Sequence, residues 1–296
     1  MHSGFASALH SFAGKARSYR YSVIRDRRDT LGDGIIAASY ITTADILQMI
    51  TIYLVVALGA VVAGFVQGLS GFAFSMVAMS FWAWVLDPKL AAALAVFGGF
   101  TGQVVAAFSV RRGFSLQRLL PFIFGGLAGI PIGVALLPSL DMNWFKTLLG
   151  ALLVTWCPVM LLAGRLPKIP VAGRLADGVI GTIGGVMGGL GGFTGTVPTL
   201  WCTLKGYERD VQRSIIQNFN LSMLFVTLLT YLGTGIVTCD MLPFFVIVAP
   251  AMLIPTFLGT RLYIGISDLQ FRRIVLGLLT ASGVSLLISS VPTLLG

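Results

Sequence analysis

Ten long apolar runs govern what this chain can become: about 50–67, 72–86, 90–110, 119–138 and 144–164, then 175–191, 194–204, 214–235, 241–263 and 273–292. A helix needs roughly 20 apolar residues to cross the hydrocarbon core, and only helices and closed barrels satisfy their own backbone groups there. Barrel strands alternate polar and apolar residues, and these runs do not. The expected fold is therefore all-α, a polytopic helical membrane protein. Charged residues make up 10% of the chain, where a soluble domain carries about a quarter.

The formal charge of +9 raises the question of a nucleic-acid partner, and its distribution answers no. Six of the twenty basic residues lie in the first 28 positions, and most others occupy short connections: Arg111, Arg112, Arg118, Arg165, Lys168, Arg174, Lys205, Arg209, Arg213, Arg272 and Arg273. That is the pattern of cytoplasmic loops in a membrane protein. Residues 1–45 read as a basic tail with an amphipathic lead-in, 46–164 as a first transmembrane repeat, 165–174 as a basic linker and 175–296 as a second repeat. Cys157, Cys202 and Cys239 have neither disulfide nor metal spacing and read as small packing residues. The two histidines, His2 and His10, sit in the tail, so the membrane body has no imidazole for catalysis or metal binding. No cofactor and no enzymatic activity are expected.

Five runs are followed by five, and the sequence itself recurs. Gly68-Leu69-Ser70-Gly71-Phe72 matches Gly189-Leu190-Gly191-Gly192-Phe193, 121 positions later, and Leu149-Gly150 matches Leu276-Gly277. Weak internal symmetry of this kind marks transporters built from two repeats. Loop charges put 111–118 and 165–174 inside and the acidic 236–240 turn outside, so each half makes an odd number of crossings and the repeats are expected to be inverted. A cytoplasmic tail, by contrast, requires 46–86 to make a single net crossing, although its repeat partner makes none. The stretch from 175 to 204 offers roughly 45 Å of helix, where two crossings of the core need about 60 Å, so it should fold as a hairpin of short or broken helices. Run 72–86 is short in the same way.

Short, glycine-interrupted segments in matching positions of two halves point to a transport site. Here they are Gln67-Gly68-Leu69-Ser70-Gly71-Phe72 and Gly188 to Thr196, including Gly192, Thr194, Gly195 and Thr196. Glycine lets backbone approach a ligand, and a helix that starts after the break aims free N–H groups and a positive dipole end at it, which suits an anion. Small-residue helix packing uses the same glycines. Polar side chains at hydrocarbon depth are a second signal: Gln67, Ser70, Gln103, Thr194, Thr196, Gln217, Asn218 and Asn220. Asn218 and Asn220 cannot share one helix face, so at most one of them should point at substrate. Arg209 and Arg213 stand at the inner end of the same helix, where they either attract an anion or pair with Glu208 and Asp210. No acid sits deep inside an apolar run, so no carboxylate relay is expected in the membrane. Trp82, Trp84, Trp144 and Trp201 read as interface anchors.

The two glycine signatures, above all Gly188-Gly189-Leu190-Gly191-Gly192-Phe193-Thr194-Gly195-Thr196-Val197-Pro198, resemble the TauE/SafE sulfite-exporter family over about 50–292. The first half keeps the glycines but lacks the proline. The resemblance implies a secondary transporter, an exporter in expectation, of small anions such as sulfite or organosulfonates. Its expected partners are that anion and the lipid bilayer, here a bacterial inner membrane. A coupled proton or sodium ion and a homodimer are left open. The reading from another class is a membrane accessory or assembly protein without substrate flux.

Overall fold

The computed structural model describes residues 43–71, 73–109, 116–163, 167–169, 173–261 and 268–295. The tail, Phe72, Arg111, Arg112 and Arg165 lie outside the described residues, as do the side chains of Arg209 and Arg272. The chain divides into a unit over Met1–Leu47, described only where its first helix begins, and a unit over Gln48–Gly296 that holds everything below.

The helices follow the apolar runs closely. They are α1 (Thr43–Ser70), α2 (Phe74–Trp82), α3 (Pro88–Ser109), α4 (Leu116–Leu136) and α5 (Met142–Leu162), then α6 (Arg174–Gly191), α7 (Thr196–Leu204), α8 (Arg209–Gly233), α9 (Leu242–Arg261) and α10 (Asp268–Leu295). Among the described residues, seven helices are long and apolar enough to cross a membrane: α1, α3, α4, α5, α8, α9 and α10. The protein is an integral, multi-pass helical membrane protein. Two helices, α2 and α7, are nine residues long, about 14 Å, too short to span the core.

Large apolar side chains face outward, including Leu54, Phe124, Val246, Leu278 and Ile288, as a lipid-facing surface requires. The core holds large side chains such as Phe74, Phe122, Phe219 and Tyr231, and the closest helix contacts are made by small residues. A methyl group on Gly129 of α4 would strike the Thr182 carbonyl of α6, and one on Gly185 of α6 would strike the Gly126 carbonyl of α4. The α1–α9 contact is made the same way, with Gly259 Cα 3.0 Å from the place a methyl on Gly68 would take. Here Thr256 donates to the Gly64 carbonyl at 3.0 Å. Without a hydrophobic drive between helices in lipid, such small-residue contact is how they hold together.

Both nine-residue helices return along the helix before them. Trp82, at the end of α2, donates from Nε1 to the Val56 carbonyl of α1 at 3.2 Å and is fully buried. It is therefore a core residue, not an interface anchor: its polar atom finds a partner inside the protein and its ring packs edge-on against Phe74. Trp84 and Trp144 are exposed, as anchors are. Cys157 and Cys202 are buried packing residues, and Cys239 is exposed.

The α4–α6 contact sets a stability test. Gly129→Ala should cost about 1–3 kcal/mol through forced separation of backbones, read as a lower melting temperature in detergent. Gly277→Ala on α10, where a methyl group meets nothing within 4 Å, should leave melting unchanged or raise it.

Candidate functional site

Each short helix is preceded by a glycine in the left-handed region, Gly71 at φ +82° before α2 and Gly192 at φ +78° before α7. Any other L residue is strained there, so glycine is what allows the chain to turn. The two turns are brought near one another: Ser75, in the first turn of α2, has its Oγ 2.7 Å from where a Cβ on Gly192 would sit. The N-terminal end of α2 thus abuts the break that leads into α7. The N-cap residues of α2 and α7, Ala73 and Gly195, make no side-chain cap of their own.

Around Gly71 three glutamine amides converge. Gln67, at the end of α1, is 2% exposed and its Oε1 accepts from the Phe74 backbone N–H at 3.1 Å, which seats the amide on the first turn of α2. Its Nε2 has no partner among the described residues. Gln103 of α3 donates from Nε2 to the Gly71 carbonyl at 2.7 Å. Gln217 of α8, also buried, places Nε2 3.5 Å from where a Cβ on Gly71 would stand. Ser70 donates to the Val66 carbonyl at 2.8 Å and so serves its own helix.

The second break gathers hydroxyls and one amide. Thr194 donates to Asn220 Oδ1 at 2.9 Å, and the Asn220 amide lies over Gly195. Thr196 donates to the Phe193 carbonyl at 2.6 Å, and Thr199 to the Gly195 carbonyl. Of the two asparagines Asn220 is the buried one; Asn218 donates to the Ser214 carbonyl of its own helix at 2.9 Å. Arg213 is exposed on the first turns of α8 and apart from this cluster.

Sequence reasoning did not single out Ser75, Thr227 or the pairing of Asp177. Thr227, fully buried with its Oγ1 3.7 Å from where a Cβ on Gly188 would sit, has no partner for that oxygen among the described residues. The signal for Ser75 was its position four residues past Gly71; Thr227 sits in an apolar run and gave none. Asp177 in the first turns of α6 is 4% exposed and carries both oxygens 2.9 Å from Lys205 Nζ, with Trp201 Nε1 donating at 2.7 Å. Trp201 is thereby an internal donor and not an interface anchor, because the buried carboxylate needs its N–H. This pair ties the far end of α7 to the start of α6. Tyr207 lies between Arg118 and Lys205, each 5.3 Å from its ring centroid, and with Arg174 and Gln117 they line a cavity of about 320 Å³. Burial alone would lower the Lys205 pKa; hydrogen bonds and charge from Asp177 and Tyr207 outweigh it and raise it above the ordinary value. A raised lysine keeps its contribution below its unfolded pKa and loses it only as pH climbs through the folded one, so the pair stands at neutral pH.

Asp177→Asn should therefore cost about 3 kcal/mol of stability by leaving Lys205 buried without its counter-charge. Adding Lys205→Met should recover most of that loss, measured by thermal unfolding of the single and double variants.

Among the described residues no three His, Cys, Asp or Glu side chains come together to hold a metal. The family model for the sulfite exporter TauE/SafE matches residues 56–286. No curated protein and no solved structure matches the chain.

Proposed function

Because the chain belongs to the TauE/SafE sulfite exporter family, a family of membrane transporters, we propose that it is a secondary transporter, in the export direction, of small anions such as sulfite or organosulfonates. The observation that carries this reading is the meeting of the two breaks, where the first turn of α2 lies against Gly192 and buried amides and hydroxyls surround both turns. The N-terminal dipole ends of α2 and α7 and the amide N–H donors favour negative charge. The buried charge among the described residues is the Asp177–Lys205 pair, and Asp177 stands fifteen residues before Gly192 on α6, about 22 Å away. A carboxylate would repel an anion at the breaks, and none lies there among the described residues.

Residues 46–164 and 175–296 act in this reading as two inverted repeats that rock about the breaks and expose the site to each side in turn. Matched five-helix order, matched nine-residue helices and matched left-handed glycines support it. Asn220 and Thr194 belong to the substrate site, and Asn218 does not. A proton, where one is coupled, travels with the substrate or through a residue at a helix end.

The test is flux into proteoliposomes. Sulfite and small sulfonates should enter with saturable kinetics, and the absence of saturable flux for any small anion would sink the reading. Asn220→Leu and Thr194→Val should each fall at least about fivefold below Asn218→Leu, roughly 1 kcal/mol, the worth of one hydrogen bond.

A further inference from the structure

Positions 121 apart meet the two breaks in the same way but with opposite chemistry. Gly71 matches Gly192, Gln103 matches Leu224, Val96 matches Gln217, and Gln67 matches Gly188. In the structure Gly71 is met by Gln103 and Gln217, while a Cβ on Gly192 would meet Ser75 Oγ at 2.7 Å and, at the places matching the two glutamines, Leu224 Cδ2 and Val96 Cα, each at 3.4 Å. The same places around the two turns are amide at one and hydrocarbon at the other. Gln67 adds a third amide at the first break, and its counterpart Gly188 has no side chain.

We infer that the transported anion is held at the first break, off the centre between the repeats, by the Nε2 groups of Gln67 and Gln217, and that this all-neutral cradle selects singly charged oxyanions over doubly charged ones. The inference rests on the transport reading above and specifies its site. Gln67 is the group that points to a ligand: it is 98% buried, its Oε1 is committed to Phe74 N–H, and its Nε2 lacks a partner among the described residues. A buried donor without an acceptor costs about 1–3 kcal/mol, which an oxygen of a bound anion recovers. Gln103 is a positioning residue, since its amide holds the Gly71 carbonyl and so keeps that oxygen turned away from the anion's place. At the second break Leu224 and Val96 flank Gly192 beside the Ser75 hydroxyl, and Thr194 and Asn220, hydrogen-bonded to one another, complete the site from that side.

Charge selection follows from what the cradle lacks. The amides and the α2 dipole end offer partial positive charge, and among the described residues no lysine or arginine side chain contacts Gln67, Gly71 or Gln217. The cost of taking an ion out of water grows with the square of its charge. Hydrogen bonds to neutral donors grow less steeply, so a monoanion such as a sulfonate is accommodated and a sulfate dianion is not.

The experiment compares methanesulfonate with sulfate in proteoliposomes carrying the wild type, Gln67→Glu or Gln217→Glu, at about pH 8 and about pH 5. A glutamate at either place keeps the shape and replaces an N–H donor with an acceptor that is charged at the higher pH and, being buried, increasingly protonated at the lower one. Wild-type protein should carry methanesulfonate at least tenfold faster than sulfate. Each variant should lose tenfold or more relative to wild type at about pH 8 and regain part of it at about pH 5, a pH profile that a purely structural defect would not produce. The two variants lie on different helices, so loss of folding in one, read by melting, leaves the other to decide. Equal transport of sulfate, or wild-type rates in a folded variant at both pH values, overturns the inference while leaving transport in place. A wild type that moves neither sulfite nor any sulfonate overturns the transport reading itself.

Discussion

In hydrocarbon a backbone N–H or carbonyl without a partner costs several kcal/mol, so a helix can stop inside the membrane only where protein surrounds its end. The rest of this structure depends on that constraint. Two helices, α1 and α6, end at left-handed glycines, and two nine-residue helices begin a few residues beyond. These ends are tolerable because other helices close around them: α2 is buried along most of its length, and α7 keeps Thr196, Pro198, Thr199 and Cys202 inside. Enclosure in turn demands close helix contact, and close contact demands glycine. The abundance of small residues along α4 and α6 is thus a consequence of the breaks as much as a property of membrane packing.

The same constraint explains where polarity is found. Tyr231 reaches from α8 to the Gly189 carbonyl at 2.8 Å, and Thr147 meets Ser290 across the α5–α10 contact at 2.8 Å. These side chains are spent on helix contact. Around Gly71, by contrast, amide capacity exceeds what the backbone uses, and the Gln67 Nε2 is left over.

Much of the architecture was legible from the residues. Apolar runs bounded the ten described helices, most ends to within three residues with the start of α1 missed by seven, because in a membrane the length of an apolar run and the length of its helix answer to the same core thickness. The shortness of 72–86 and of 194–204 was legible for that reason, and so were the glycine turns, since glycine alone accepts the left-handed region cheaply. Other residues were legible only as types. A glutamine at membrane depth is conspicuous, but Gln103, which braces a carbonyl, and Gln67, which keeps a donor in reserve, look alike in a sequence. Trp82 and Trp201 resembled interface anchors because tryptophan favours that region; a carbonyl on α1 and a carboxylate on α6 took their N–H groups instead.

The sequence by itself determined that this chain lives in a bilayer, that its described helices follow the apolar runs, and that the chain turns at glycines ahead of the two short helices. Those properties depend on local length and local backbone freedom. Tertiary structure alone decided which polar groups share a space: that Asn220 and not Asn218 meets Thr194, that Asp177 is locked to Lys205, and that glutamines from three helices gather at Gly71 while Ser75, Leu224 and Val96 meet Gly192. The reason is physical. A side chain's neighbours across a helix contact are set by the rotation and depth of both helices, and neither quantity is written in the spacing of either one alone.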